Sequence, residues 1–289
     1  MPLNQPIAKQ DWDGLRVWIL GASGGIGTAL AVAMAQQGAR VALSGRRADA
    51  LSETANACKA VGSPHAALTL PLNINDTRAI ELAQLEIMSQ MDGVDLVVIN
   101  AGTYQSTRAN ELNVEQIDQT LSTNLLSPMR ATTVILPTLL QSLATSPNSA
   151  PKGIAFVASV AGYRGLPRAL TYGPGKAGLI SFAETLWQDL NPLGLNVWVI
   201  NPGFVKSRLT DCNDFEMPAL IDADTAAHQI MQGFSRGQFE IHFPKRFTHF
   251  MKLLRLLPIS WYLRLAKKLL PPLALADFAS NANHQEIPK

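Results

Sequence analysis

The sequence predicts a doubly wound α/β domain, in which helices cover both faces of a seven-stranded parallel sheet. Three observations predict this fold: short apolar runs that stop at glycine or polar residues, longer helical segments between them, and a regular alternation of the two along the chain. Parallel strands need crossover connections, and these are right-handed in nearly all sheets. The alternation therefore favours the doubly wound arrangement.

The first strand is predicted at residues 16–20, an apolar run that stops at glycine. The first helix is predicted at 26–37, a segment rich in alanine that ends before Gly38. The later elements follow the same pattern, with strands at 41–44, 66–72, 95–100, 153–159, 196–201 and 239–243, and helices at 48–61, 77–91, 115–143, 170–190 and 225–237. Residues 1–243 then form one domain, and residues 244–289 form a helical extension packed on it.

Composition narrows the class of protein. The chain has 289 residues, of which 47% are hydrophobic and 16% charged, as in ordinary globular proteins. A net charge of +2 gives no reason to expect a nucleic-acid partner. Residues 1–14 are too polar for a signal peptide, and no run reaches the roughly 18 apolar residues of a membrane-spanning helix. We therefore expect a cytoplasmic protein.

The cysteines and histidines predict neither a disulfide nor a metal site. Cys58 and Cys212 are far apart and fit no metal or redox motif, so we expect two reduced thiols. The histidines lack ligand spacing with any carboxylate or cysteine. They are His65, His228, His242, His249 and His284.

A glycine-rich loop joins the first strand to the first helix. Glycines let the backbone approach a pyrophosphate closely, and the helix N-terminus offers free N–H groups to the anion. The loop therefore predicts a Rossmann-type dinucleotide site, although a tight turn without a ligand explains the glycines too. The pattern fits both G-x-x-x-G-x-G and G-x-x-G-x-x-G, so two subfamilies stay open. The loop residues expected at the cofactor are Gly21, Ser23, Gly24, Gly25, Ile26 and Gly27.

Five further motifs follow in order, each on the expected element. They are residues 100–102 (Asn-Ala-Gly), Asn124, Ser159, the pair Tyr172 and Lys176, and residues 202–207, which begin Pro-Gly. Together with the loop they resemble the short-chain dehydrogenase/reductase family in its ordinary-length branch, over residues 15–243. Each motif alone is weak, but their shared order makes a chance match very unlikely. The resemblance implies hydride transfer between a nicotinamide cofactor and a carbonyl or alcohol.

Tyr172 and Lys176 are four residues apart, so on a helix they share one face. We expect the lysine cation to favour the phenolate and lower the pKa of Tyr172, which then acts as the acid or base. The resemblance implies that Lys176 also holds the nicotinamide ribose, that Ser159 binds the substrate oxygen, and that Asn124 holds a proton-relaying water. Separately, each of these residues is also compatible with a purely structural role.

The end of the second strand carries no acid that would bind a ribose 2′-hydroxyl and select NAD. Ser44, Arg46 and Arg47 stand there, and Arg46 suits a 2′-phosphate. This favours NADP(H), with NAD(H) and a merely solvated arginine pair as the alternatives. The resemblance implies further cofactor contacts from Asn73, Ile74, Asn100, Ala101, Gly102, Pro202, Gly203, Val205 and Ser207, and also from Tyr172 and Lys176. The family more often has an acid at Asn73 and a threonine at Leu20.

The extension after residue 243 is basic and amphipathic. Between Glu240 and Asp277 stand seven Lys or Arg residues and no acid, interleaved with large apolar residues. Pro258 divides two helical segments, and Pro271 ends the second. Three interpretations stay open: a docked hairpin, a lid over an apolar pocket, or peripheral contact with an anionic membrane through residues 245–270. The extension suggests a bulky hydrophobic substrate, fatty or steroid-like.

Two other functions stay open at this point. A sugar-nucleotide epimerase of the extended branch would fit the second glycine pattern and would retain NAD, whereas a non-catalytic NADP-binding sensor would fit the fold. For the oligomeric state, the resemblance implies a homo-oligomer through the helices at 115–143 and 170–190. The extension follows the edge strand, where it would block a second, edge-to-edge interface. We therefore favour a dimer.

Overall fold

The computed structural model describes residues 2–145, 150–208, 210, 217–275 and 277–278. Its seven strands form one sheet in the order β3-β2-β1-β4-β5-β6-β7, and every neighbouring pair is parallel. The strands are β1 (Arg16–Leu20), β2 (Arg40–Gly45), β3 (Leu68–Pro71), β4 (Leu96–Ile99), β5 (Gly153–Val157), β6 (Asn196–Pro202) and β7 (Glu240–Phe243). The predicted fold is confirmed, with strand ends that differ from the prediction by up to two residues.

Helices cover both faces of the sheet. They are α1 (Gly25–Gln36), α2 (Ala48–Ala60), α3 (Thr77–Met91), α4 (Val114–Leu121), α5 (Ser127–Thr145), α6 (Tyr172–Leu190), α7 (Ala223–Ser235), α8 (Lys245–Leu256) and α9 (Ile259–Ala266). One buried cluster joins α1, α2 and α7 to the sheet, and a second joins α3, α5 and α6 to the other face. Since both faces are covered, β1, β4, β5 and β6 are almost wholly apolar.

The predicted helix over 115–143 contains one turn of different geometry. α4 and α5 are joined by a π-helical turn at Ser122–Leu126, in the middle of which Asn124 is completely buried. Single π turns inside α-helices are common at functional sites, because the extra residue redirects a side chain. Here the turn aims Asn124 at the loop that follows β4, where its amide bonds to Thr103.

The C-terminal helices are fastened to the sheet domain by polar contacts. Arg164, in the loop after β5, donates to the carbonyl oxygens of Leu254 and Leu257 at the end of α8, at 2.7 and 2.9 Å. The hydroxyl of Tyr262 on α9 donates to the Gly165 carbonyl at 2.6 Å, and Arg164 stacks over the Tyr262 ring. These contacts give the extension a defined position beside the loop after β5.

Some predictions fall on residues outside those described, namely those for Cys212 and His284 and for the last eleven positions of the extension. Within the described part, α8 and α9 are separated at Pro258 as predicted. No helix among the described residues is both long enough and apolar enough to cross a membrane.

Candidate active site

A cavity of about 1450 Å³ opens at the carboxyl ends of the strands. It lies where the strand order reverses between β1 and β4, which is where doubly wound sheets bind their ligands. One half is walled by the glycine loop and the ends of β2 and β3, and the other by the loops after β5 and β6 and by α8 and α9. The first half suits a nucleotide and the second a substrate.

The glycine loop presents backbone N–H groups to the cavity. Gly24 caps α1 without any side-chain hydrogen bond, so the first helical turn keeps free donors for an anion. Gly21 adopts φ +100°, and a Cβ there would lie 2.5 Å from the Ala101 nitrogen. The loop is held in place by Asn100, whose side chain donates to the Gly21 carbonyl at 2.7 Å. This cradle fits the pyrophosphate of a dinucleotide.

Most of the predicted cofactor residues line this cavity. They are Gly21, Ser23, Gly24, Gly25, Ile26, Arg46, Arg47, Asn73, Ile74, Asn100, Ala101, Gly102, Pro202, Gly203, Val205 and Ser207, together with Tyr172 and Lys176. The two arginines differ in their surroundings. The Arg47 guanidinium donates to the Ser23 carbonyl, whereas the Arg46 side chain is exposed at the cavity wall. Arg46 is therefore the better placed to meet a ligand phosphate.

The structure places two predicted cofactor residues elsewhere. Ser44 is completely buried, and its hydroxyl accepts a hydrogen bond from the Trp18 indole at 2.9 Å on the core side of the sheet. Only its carbonyl acts on the loop, by accepting from Gly21 and Ala22. Gly27 does not line the cavity either, because its α-carbon faces the Gly21 carbonyl oxygen. Both residues therefore contact the glycine loop on the side that faces away from the cavity.

Ser159, Tyr172 and Lys176 meet at the cavity. Tyr172 shares a hydrogen bond with Ser159, and the Lys176 amine donates to the carbonyl of Val157 at 2.8 Å. The amine lies 5.7 Å from the centre of the Tyr172 ring. The end of β5 therefore provides the Val157 carbonyl that orients the lysine, Ser159 follows two residues later, and the start of α6 provides Tyr172 and Lys176.

Burial sets the protonation of this group. It raises the pKa of Tyr172 to about 12, against a smaller lowering by the hydrogen bond with Ser159, and it lowers the pKa of Lys176 to about 7. The prediction that Lys176 lowers the pKa of Tyr172 is wrong for this structure, because burial raises that pKa and the lowering comes from the hydrogen bond with Ser159 and not from Lys176. At neutral pH Tyr172 thus keeps its proton, the form that donates to a carbonyl oxygen.

The side chain of Asn124 is bound to the loop that follows β4. Its side-chain oxygen accepts from the Thr103 nitrogen at 3.1 Å, and its nitrogen donates to the Thr103 carbonyl at 2.7 Å. Both polar atoms therefore bond to the backbone of one residue, Thr103, and Asn124 does not line the cavity. The side chain holds the loop after β4, which carries Gly102 and Tyr104 into the site. Asn124 thus positions this loop, and its predicted role of holding a proton-relaying water stays a prediction.

Sequence reasoning missed two contributors. Tyr104 packs edge-on against Tyr172 with ring centres 5.1 Å apart, and it lines the cavity. Its position two residues after the Asn-Ala-Gly motif was the available signal. Arg164 places α8 and α9 over the cavity, but nothing in the sequence pairs it with a helix about 90 residues later.

The buried amine of Lys176 predicts a pH-dependent stability. Its pKa is about 7 in the folded protein and 10.5 when unperturbed, so between these values the native state has released a proton that the unfolded chain still binds. The free energy of unfolding should therefore rise with pH across this window, by up to about 1.4 kcal/mol per pH unit.

Urea unfolding of the wild type and of Lys176→Met between about pH 7 and 9 measures this pH dependence. The substitution should remove this slope, and replacement of the exposed Lys59 by Met should retain it. Identical slopes for wild type and Lys176→Met would contradict the assignment.

Comparisons with known proteins agree with this geometry. The family model described as short chain dehydrogenase matches residues 16–216. This chain belongs to the short-chain dehydrogenase/reductase family. It is similar to an uncharacterized oxidoreductase of Myxococcus xanthus, with 33% identity over 87% of this chain and 96% of the relative. It is also 30% identical to the 11-beta-hydroxysteroid dehydrogenase-like protein 4A of Arabidopsis thaliana, over 78% of this chain and 75% of that protein. A dehydrogenase/reductase structure from Sinorhizobium meliloti superposes with a TM-score of 0.71 at 22% identity, covering 81% and 96% of the two chains.

Membership establishes the class of reaction and of cofactor. Proteins of this family are oxidoreductases that use a nicotinamide dinucleotide, and the chain is an oxidoreductase of this type. The glycine cradle and the group around Tyr172 fit that assignment.

Proposed function

We propose that the protein is an NADP(H)-dependent oxidoreductase that interconverts a carbonyl and a secondary alcohol on a bulky hydrophobic substrate. The observation that carries the substrate class is the second half of the cavity, which is walled by apolar side chains of the C-terminal helices. These are Phe247, Phe250, Met251, Leu254, Leu265, Ala266, Leu269 and Leu270. Burial of apolar substrate surface against such a wall contributes roughly 25 cal/mol per Å².

The chain's own residues account for the proton chemistry. When bound, the nicotinamide supplies or accepts the hydride. Tyr172 donates its phenolic proton to the substrate oxygen in reduction and removes it in oxidation. Ser159 donates a hydrogen bond to the same oxygen and stabilises its developing charge. Lys176, held on the Val157 carbonyl, orients the ribose hydroxyls.

A lipid-like or steroid-like molecule is the substrate class we favour. The Arabidopsis relative carries a hydroxysteroid dehydrogenase-like name, which is consistent with an apolar ring system in the corresponding site. The cavity volume of about 1450 Å³ is ample for a cofactor and a large substrate together. Small polar ketones would leave the apolar wall hydrated and unused.

A series of ketones of increasing chain length tests this substrate class. We expect kcat/KM with NADPH to rise by about threefold to fourfold for each added methylene, because each buried CH₂ contributes about 0.8 kcal/mol. Phe250→Ser should flatten the series, since this half-exposed side chain lines the cavity. Leu85→Ser, on the exposed face of α3 and away from the cavity, should leave it unchanged. Turnover of small polar ketones with no gain from chain length would overturn the substrate class.

The cofactor preference rests on Arg46. A guanidinium at the cavity wall can form paired hydrogen bonds with a 2′-phosphate, and none of residues 44–47 is an acid that would select the 2′-hydroxyl. In fluorescence titrations we expect NADPH to bind at least about tenfold tighter than NADH, or about 1.4 kcal/mol. Arg46→Ala should bring the two affinities together, and Arg78→Ala on α3 should not. Equal affinities in the wild type would contradict the preference for NADP(H).

A further inference from the structure

Exposed apolar side chains are concentrated on the C-terminal helices. Of the 21 large hydrophobic residues that are exposed in the described part of the chain, ten lie between residues 250 and 278. Leu256 and Trp261 are 80% and 64% exposed. A patch of this density on a protein surface marks an interaction site more often than chance.

The exposed apolar side chains of α8 lie apart from its buried ones, and α9 is exposed over most of its surface. On α8, Thr248 and Met251 are buried, whereas Phe250, Leu253 and Leu256 are exposed. On α9 only Tyr262 is buried. We call the exposed apolar side chains of this segment the outer face; it consists of Phe250, Leu253, Leu256, Ile259, Trp261, Leu263, Leu265 and Leu269.

Positive charge accompanies the outer face. Between Glu240 and Asp277 the chain has seven Lys or Arg residues and no acid. Lys252 is paired with Glu240 at 2.5 Å. Five of the others are exposed beside the apolar residues, namely Arg246, Arg255, Arg264, Lys267 and Lys268. A partner that docks on the outer face must therefore have an apolar interior and a negatively charged boundary.

We propose that the outer face docks on an anionic lipid bilayer, with α8 and α9 lying in the plane of the headgroups. Apolar side chains with a basic fringe on short helices are the features by which interfacial helices bind such membranes. Phosphate headgroups supply the negative charge, and acyl chains receive the side chains of Trp261, Leu253 and Leu256.

A second copy of the chain fits this face less well. In a two-fold symmetric dimer the same patch meets itself, so the basic residues of one copy would face those of the other. No acid in the segment is available to pair with them. An anionic bilayer removes this repulsion, and for that reason we favour it as the occupant.

The mouth of the cavity lies on the docking face. Phe250, Leu265 and Leu269 belong to the outer face and also line the cavity. If the proposed function holds, a lipid-like substrate dissolved in the bilayer would enter the site without crossing water. The docking itself does not depend on this step and can be measured without turnover.

Flotation of the full-length protein with lipid vesicles tests the docking. We expect binding to vesicles of phosphatidylcholine with about a third phosphatidylglycerol, and at least about tenfold weaker binding to phosphatidylcholine alone. The double variants Lys267→Gln/Lys268→Gln and Leu253→Gln/Trp261→Ser should each lower binding about tenfold or more. The matched controls Lys59→Gln and Leu85→Gln lie on other helices and should bind as the wild type does. NADPH titration of every variant checks that the site remains folded.

Three results would overturn the proposal. The first is wild-type protein that floats with neither vesicle, and the second is equal binding to both, which would remove the role of charge. The third is a dimer, found by sedimentation, that Leu253→Gln/Trp261→Ser dissociates; the outer face would then be an interface between copies. Wild-type protein that binds anionic vesicles but turns over none of the substrates would refute the proposed reaction and would still support the docking.

Discussion

Replacement of Tyr172 by Phe should lower kcat by about a thousandfold or more while NADPH binds within a factor of about three. In the proposed reaction the phenolic hydroxyl is the proton donor, and burial raises its pKa to about 12, so at neutral pH it is protonated. Phenylalanine keeps the ring and its packing against Tyr104, and only the hydroxyl is lost. Single-turnover kinetics with saturating NADPH, together with a binding titration, separate chemistry from affinity.

Tyr104→Phe is the matched control, because it removes the hydroxyl of a tyrosine that lines the same cavity and whose ring centre lies 5.1 Å from that of Tyr172. We expect its kcat to stay within about tenfold of the wild type. Residual activity of Tyr172→Phe within the same range would contradict the assignment of Tyr172. A different result would instead favour an NADP-binding sensor: neither the wild type nor Tyr172→Phe turns over a substrate, and the two have the same biological function.

The doubly wound parallel sheet and the position of the site could be predicted from the sequence for a simple physical reason. Apolar runs ending in Gly21, Asn100, Ser159 and Pro202 mark strands whose carboxyl ends meet at one edge of a parallel sheet. Residues that follow different strands must then lie close together. The six local signals thus reinforced one another without any knowledge of distances.

Side-chain direction was harder to predict. Ser44 lies in a strand that is buried on both faces, so polarity does not show which face it occupies, and the structure turns it to Trp18. Asn124 depends on a π turn that no helical periodicity predicts. The pKa of Tyr172 depends on how burial and hydrogen bonding balance, and residue spacing carries no information about either.

For the extension, sequence patterning left a docked hairpin, a lid and a membrane contact as alternatives. The structure shows that its helices are docked and that they line the cavity, so the first two describe the same arrangement. The inner side chains of α8 pack on the sheet domain and the outer ones stay exposed. Among the described residues of α8 and α9, the outer side chains and their basic neighbours are the ones available to a membrane.

Gly27→Ala should have the second largest effect, through the cradle itself. A Cβ at this position would overlap the Gly21 carbonyl oxygen and lie 2.7 Å from the Asn100 side-chain nitrogen. Both neighbours are held by hydrogen bonds, so α1 must move away from the loop. We expect the free energy of unfolding to fall by about 3 kcal/mol, the melting temperature by roughly 5–10 °C, and NADPH affinity by at least about tenfold.

The direction of the change in stability shows whether a Cβ at residue 27 overlaps the loop. Alanine is a better helix former than glycine by about 1 kcal/mol, so without the overlap Gly27→Ala would stabilise α1. Gly165→Ala is the control, because a Cβ there meets nothing within 4 Å, and it should leave both stability and NADPH binding near wild-type values. Thermal unfolding with and without NADPH distinguishes the outcomes. A raised melting temperature with intact NADPH binding for Gly27→Ala would show that the contact between α1 and the loop is looser than the structure describes, and that the cradle does not require a glycine there.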